Sequence, residues 1–308
     1  MNATAPPVTL VSHELSKRFG DMVAVNKVNL SIHQGEIFGL LGPNAAGKST
    51  TIRMLAGIIR PSSGSAAILG LDLLRDTEQI KQHIGYVAQH FGLYPELTVK
   101  ENLSFYASLY GSHSSLTDLL EQYELAAFSR KRAGELSGGF KRRLSIACAL
   151  SHDPALVFLD EPTAGIDPVT RKELWDVFYD LAAAGKTLFV TTHYMEEAER
   201  CDSLAFLSQG RIVAQGSPQQ IRARPGDYRV WQTDAPHSPE LTRALQTLPC
   251  VETLNRFGSS LRIITDAGCD SDTLRNTIRQ HSPKPAAVEP TAFNLEDVFI
   301  TLTREHKS

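Results

Sequence analysis

Between Gly42 and Ser49 the chain reads Gly42-Pro43-Asn44-Ala45-Ala46-Gly47-Lys48-Ser49, a complete G-x-x-x-x-G-K-S/T loop. Such a loop holds a polyphosphate: its backbone N–H groups and the positive end of the helix that follows surround the anion. Lys48 would set a point charge on the β- and γ-phosphates of a nucleotide, and the Ser49 hydroxyl, followed by Thr50, would ligate Mg²⁺. A second group of residues suits the same chemistry. Leu156-Val157-Phe158-Leu159-Asp160-Glu161 is an apolar run ending in two carboxylates. An Asp at that place holds Mg²⁺ through its water shell, and a Glu one residue on faces an attacking water. A third, Ser137-Gly138-Gly139, lies 23 residues before Asp160. Ser137 is a good N-cap, the two glycines admit an anion close to the backbone, and the next helix aims its positive end there. One subunit has no need of this second cradle for its own nucleotide. The simplest expectation is that it meets the γ-phosphate of a nucleotide held by another copy.

Elements of fixed type must position these groups. Ile37-Phe38-Gly39-Leu40-Leu41 reads as a buried parallel strand, and Ser49 to Ile58 as a helix with Ile52, Leu55 and Ile58 on one face. Residues 8–34 alternate apolar and polar, as antiparallel strands do, and another short strand is expected near Ala66–Leu69. From about Leu97 to Ala149 the spacing turns helical through Val99, Leu103, Tyr106 and Tyr110. Strand character returns at Leu156–Leu159, Thr187–Val190 and Ser203–Leu207, with helical spacing at Leu174–Leu181 and Tyr194–Glu199 between them. That βαβ rhythm predicts a parallel sheet. Turn residues at Gly216-Ser217-Pro218 and Pro225-Gly226-Asp227 mark a boundary. Beyond it lie strand-like runs near Tyr228–Thr233, Val251–Leu254 and Leu261–Thr265, and helical runs near Glu240–Leu248, Thr273–His281 and Asn294–Leu302. This segment carries no nucleotide motif and reads as a small α+β appendage.

Composition narrows the class. The 308 residues leave room for one large domain and a small one, and 42% apolar residues with a net charge of −3 describe an ordinary globular chain. No basic stripe suggests a nucleic-acid partner. No apolar run approaches the roughly 18 residues that span a bilayer. Met1-Asn2-Ala3-Thr4-Ala5 has neither the basic start nor the apolar core of a signal peptide, so a cytosolic chain is expected. Cys148, Cys201, Cys250 and Cys269 are scattered without a C-x-x-C pair, which indicates neither a zinc site nor a disulfide framework.

The phosphate loop alone would fit kinases, GTPases, helicases or transporters. Together with Leu136-Ser137-Gly138-Gly139-Phe140 and the Asp160-Glu161 pair, the chain resembles the ATP-binding subunit of an ABC transporter over roughly residues 8–220, with Leu136–Phe140 as the signature sequence. The resemblance implies an α/β fold: a P-loop NTPase parallel sheet, an antiparallel β subdomain, a helical subdomain at about 90–150, and the appendage at 227–308. It further implies that Phe19 stacks on adenine and that Gln89 reaches Mg²⁺ and the water. Asp167, in Ala164-Gly165-Ile166-Asp167, then signals across a dimer, and His193, about 30 residues past the carboxylate pair, contacts the γ-phosphate. Two positions depart from the common pattern. Ala45 stands where the family usually has Gly, at a cost of about 1 kcal/mol if φ there is positive. Phe140 replaces a frequent Gln.

The tail Asn294–Thr303 resembles ATPase subunits of the multidrug and antibiotic exporter branch. The resemblance therefore implies a chain that hydrolyses ATP with Mg²⁺, pairs with a second copy around two ATP molecules, and sits on the cytoplasmic face of a membrane through a separate permease. The aromatic-rich stretch His90–Glu101, with Phe91, Leu93, Tyr94 and Pro95, would form part of the groove for that permease, although the same residues would also suit packing under the helical subdomain. Two alternatives stay open from sequence: an ABC importer ATPase subunit, and a soluble ABC ATPase with no transport role. The transported substrate is invisible in this chain.

Overall fold

The computed structural model describes residues 6–112, 114–223, 226–258, 260–282 and 285–305. Met1–Ala5 and Pro225 of the expected boundary turn lie outside the described residues. The chain divides into two compact units, Met1–Ser217 and Pro218–Ser308.

The first unit opens with an antiparallel pair, β1 (Val8–Phe19) and β2 (Met22–His33). Next come β3 (Ile37–Leu41), α1 (Lys48–Leu55), β4 (Ser63–Ile68) and a short β5 (Leu71–Asp72). Helix α2 (Thr77–His83) runs into β6 (Ile84–Val87), and the helices α3 (Val99–Leu109), α4 (Leu116–Gln122) and α5 (Gly138–Leu150) follow. The unit closes with β7 (Leu156–Asp160), α6 (Pro168–Ala183), β8 (Thr187–Thr192), α7 (Met195–Ala198), β9 (Ser203–Ser208) and β10 (Arg211–Gly216).

Two sheets result. One is ordered β2-β1-β4-β5; the other is ordered β10-β9-β3-β8-β7-β6 and is parallel except for β10. Strands β3, β7 and β8 are buried along their whole length because both faces of this sheet are covered. Alternation along β7 shows the two sides. Phe158 joins the core formed with Leu10, Val25, Ile52 and Phe189, whereas Val157 and Leu159 join Val99, Leu103, Leu144 and Trp175 on the other face. Strand β8 lies between β3 and β7, with Leu41 opposite Thr192 and Asp160 opposite Thr191. The loops leaving these three strands therefore emerge side by side at the carboxyl edge of a parallel sheet, where such sheets bind ligands.

The second unit contains α8 (Pro218–Arg222), β11 (Tyr228–Thr233), α9 (Pro239–Gln246), β12 (Val251–Phe257), β13 (Ser260–Asp266), α10 (Ser271–His281), β14 (Val288–Thr291) and α11 (Leu295–Glu305). Its antiparallel sheet is ordered β12-β13-β11-β14, over a core that includes Trp231, Leu241, Leu245, Ile263 and Leu274. Arg262 of β13 donates from Nε to Asp297 of α11 at 3.1 Å, inside the unit. Cys250 and Cys269 form a disulfide, a pairing their sequence spacing did not indicate. The hairpin register brings them together: Asp266 N donates to Cys250 O at 3.0 Å, so the residues flanking β12 and β13 meet.

Candidate functional site

The phosphate loop leaves β3 in a conformation that needs glycine at its end. Gly47 has φ of 106°, and a Cβ there would meet the Ala24 carbonyl oxygen at 2.5 Å. Ala45, at φ 62°, sits in the left-handed region without being glycine, so the cost foreseen for alanine at this position, about 1 kcal/mol, applies. Lys48 opens α1 and turns back over the loop. Its Nζ donates to Gly42 O at 2.8 Å and Pro43 O at 3.1 Å, and lies 3.2 Å from Glu161 Oε1. With only 5% of its surface exposed, the ammonium is buried but fully partnered.

Asp160 ends β7 with its side chain inside. Its Oδ1 accepts from Ser49 Oγ at 3.1 Å and from Thr191 Oγ1 at 2.7 Å, which ties the starts or ends of α1, β7 and β8 to one atom. Its other oxygen, Oδ2, is buried without a hydrogen-bond partner among the described residues. Glu161 follows at φ 46°, and its backbone N donates to Thr191 Oγ1 at 2.9 Å. Three side chains converge on the Glu161 carboxylate. Lys48 reaches Oε1, while Gln89 Nε2 donates to Oε2 at 3.1 Å and His193 Nδ1 lies 3.4 Å from that same oxygen. Gln89 comes from the segment after β6 and His193 from the end of β8, so the site draws on four neighbouring loops. The Ser49 hydroxyl and Asp160, with one carboxylate oxygen unused, fit a hard cation such as Mg²⁺, whereas the Gln89 side chain turns its amide nitrogen to Glu161.

An open cavity of about 520 Å³ takes in Lys48, Ser49, Gln89 and Glu161 of these residues, but Asp160 and His193 do not line it. Phe19, Met22, Asn44, Ala45, Ala46, Gly47, Lys48, Ser49, Thr50, Gln89 and Glu161 line it. Phe19 is 47% exposed, with Lys17 Nζ 5.1 Å from its ring centre, so it presents a free aromatic face where a core phenylalanine would present none. Ser137, Gly138, Gly139 and Asp167 do not line this cavity. Ser137 caps α5, accepting from Phe140 N at 3.5 Å. Asp167 caps α6: its Oδ1 accepts from Thr170 N at 3.0 Å and Val169 N at 3.1 Å. Those bonds, that from Thr170 above all, hold its carboxyl below the usual range.

Residues 25–164 match the ABC transporter family. Over 304 residues the chain is 36% identical to the Nod factor export ATP-binding protein I of Burkholderia lata, covering 97% of this chain and 98% of that one. The chain belongs to the ABC transporter ATP-binding subunit family. It is also 42% identical over 229 residues to the probable multidrug ABC transporter ATP-binding protein YbhF of Escherichia coli K12; the match takes in 73% of this chain but only 40% of that longer relative. Among solved structures, the dimeric ATP-binding cassette MJ0796, in a post-hydrolysis state with ADP and Pi, superposes with a TM-score of 0.63 at 27% identity, covering 68% of this chain and 98% of that one.

Within this ABC subunit some site residues had no sequence signal of their own. Thr191 lies in the apolar strand that leads to His193, yet its hydroxyl binds both Asp160 and the Glu161 backbone. Arg142 stood in a basic run, Lys141-Arg142-Arg143, yet it is buried against the main chain of Gln89 and Glu161. Its spacing to Ile146 and Leu150, four and eight residues on, was the available hint that it shares their buried face.

Proposed function

We propose that this chain is the ATP-hydrolysing subunit of an ABC exporter, acting as a pair of copies around two ATP molecules and driving a separate membrane permease. The observation that carries the reading is the convergence of Lys48, Gln89 and His193 on the Glu161 carboxylate, above the ends of β3, β7 and β8. In this reading Phe19 stacks on adenine, and Gly42–Thr50 wraps the triphosphate while Lys48 neutralises the β- and γ-oxygens. Glu161 takes a proton from the attacking water, Gln89 and His193 fix the water and the γ-phosphate, and Asp160, Ser49 and Gln89 hold the cation. Bound Mg²⁺ would supply charge neutralisation at the phosphates.

Ser137, Gly138 and Gly139 would complete the opposite copy's nucleotide site, with Asp167 at the junction. The dimeric form of the MJ0796 cassette supports that assignment. Among the described residues no helix is long and apolar enough to cross a membrane, which supports a permease on another chain and a peripheral, cytoplasmic-face location. A second cavity of about 370 Å³, lined by Tyr86, His90, Leu93, Tyr106 and His152 among others, supports a docking groove for it. Tyr94, 49% exposed, packs edge-on against Phe105 at 5.2 Å on the outer side of α3. Export is favoured by the likeness to a Nod factor export ATP-binding protein and to a probable multidrug ABC transporter ATP-binding protein.

Glu161→Gln tests the reading. Glutamine keeps the shape but cannot act as base, so ATP binding survives, cleavage stops, and two copies are held together by shared nucleotide. Sedimentation with ATP and Mg²⁺ is expected to show a dimer that Ser137→Arg dissolves. A monomer at saturating ATP, both with and without the permease, would refute the cross-dimer site.

A further inference from the structure

Arg142 lies on α5 with 8% of its surface exposed, and its donors go to three main-chain carbonyls instead of a carboxylate. Nη1 donates to Ala88 O at 2.7 Å; Nη2 donates to Gln89 O at 3.0 Å and to Glu161 O at 3.2 Å. Two of these carbonyls belong to the residues whose side chains meet in the site, Gln89 and Glu161. Burial pulls the guanidinium pKa down while the Asp160 charge opposes it; arginine remains charged at neutral pH, so the three bonds are charge-assisted.

The Glu161 backbone explains why such a clamp is needed. Its φ of 46° is a left-handed conformation for a residue with a full side chain. Conformations of this kind persist only where the surroundings over-determine them. Here the N–H is held by the Thr191 hydroxyl at 2.9 Å, while the carbonyl accepts from Arg142 at 3.2 Å and from Ala164 N in the following turn, also at 3.2 Å; of the two carbonyl donors, only Arg142 comes from another element. Without the Arg142 fork the carbonyl keeps only the local turn bond from Ala164, so nothing from α5 restrains the left-handed φ or the aim of the carboxylate.

We propose that Arg142 is a positioning residue for hydrolysis: it holds the strained Glu161 main chain so that the carboxylate faces the γ-phosphate. It also makes that aim depend on α5, whose first turn carries Ser137–Gly139. The inference rests on the hydrolytic reading above. A lysine could reach one or two of these carbonyls but lacks the planar fork that serves three.

The test compares wild type with Arg142→Lys, Arg142→Met, Thr191→Val and the double variants. It measures steady-state ATP hydrolysis, equilibrium binding of N-methylanthraniloyl-ATP, and the thermal midpoint. Arg142→Met is expected to lower kcat about ten- to hundredfold, the scale of a catalytic group misplaced by about an ångström. Arg142→Lys recovers part of that loss, while Kd for the ATP analogue stays within about threefold in both. Because Arg142 and Thr191 hold the same residue, their combined effect on kcat is expected to differ from the product of the single effects. Wild-type kcat in both Arg142 variants, or strictly multiplicative effects with Thr191→Val, would overturn the proposal. So would kcat, affinity and thermal midpoint falling together, which assigns Arg142 to the fold alone. Should Arg142→Met fail to fold, Arg142→Lys decides by the same criteria. A wild-type chain that hydrolyses no ATP, with or without a permease, removes the parent reading first and this inference with it.

Discussion

At the scale of single residues, Lys48 holds two carbonyls of its own loop and the Glu161 carboxylate, so its removal has two separable consequences. Lys48→Ala is expected to abolish ATP hydrolysis and weaken ATP binding strongly, because the charge on the phosphates is gone. It also leaves Glu161 buried without its cation, at a cost of about 1–3 kcal/mol. Adding Glu161→Gln to Lys48→Ala should restore part of the thermal midpoint and none of the activity; wild-type turnover in the single variant would sink the assignment. Ala45 sets two effects against each other. Ala45→Gly relieves a left-handed alanine, about 1 kcal/mol, but frees the unfolded chain by about 0.4–1 kcal/mol. The two nearly cancel, so the urea midpoint is expected to stay put. A shift of more than about 2 kcal/mol would mean that the Ala45 methyl makes contacts the loop depends on.

At the scale of elements, buried neutral groups make the packed layers sensitive to alkali. Burial pushes the thiols of Cys148 on α5 and Cys201 after α7 well above their ordinary range, and the Tyr123 hydroxyl at the end of α4 up to about 12. A group whose pKa is raised by folding contributes stability that is full below its unfolded pKa, about 8.5 for a thiol, and is lost as pH climbs past it. Stability is therefore expected to be level from pH 7 to 8 and to fall above about pH 8.5, by up to about 1.4 kcal/mol per pH unit for each thiol. Urea unfolding at pH 7, 8.5 and 10 checks this, with a shallower alkaline slope in Cys148→Ala; an unchanged slope would clear that thiol. The same elements show what a sequence can disclose. Strands β3, β7 and β8 were legible because sheet strands covered on both faces are unbroken apolar runs, and the chemistry sits at their ends. Strand β14 was not legible: it carries Pro290, and proline marks it as the edge strand it proves to be. Strand β10 is only half-buried at the other sheet's edge, so it lacks an apolar signature. Arg142 and Thr191 act through main-chain atoms of residues 19 and 30 positions away, contacts that only the packing of α5 and β8 against β7 creates. Asp167 was read for its place in a dimer, and its role as the cap of α6 emerged from local geometry.

At the scale of the molecule, the first unit closes its own chemistry. Lys48, Gln89, Asp160, Glu161 and His193 all lie before Ser217, and so do both cores that sandwich the parallel sheet. The second unit has a separate core around Trp231, Leu241, Ile263 and Leu274, its own sheet, the buried Arg262–Asp297 pair and a disulfide. Short α8 begins that unit at Pro218, in the first of the two turns read from sequence and ahead of the second. Independent cores of this kind are the physical condition for independent folding. A chain cut after Ser217 is therefore expected to unfold cooperatively and to bind ATP with an affinity within about twofold of the full chain, since no phosphate-site residue is removed. Residues 218–308 alone are expected to show a transition of their own. Calorimetry of the full chain and both pieces, with ATP titrated into the first, makes the comparison. An insoluble first piece, or one without ATP affinity, would make the second unit part of the cassette's core. A normal piece would leave the second unit's role to be sought outside nucleotide chemistry, in whatever the full transporter requires of it.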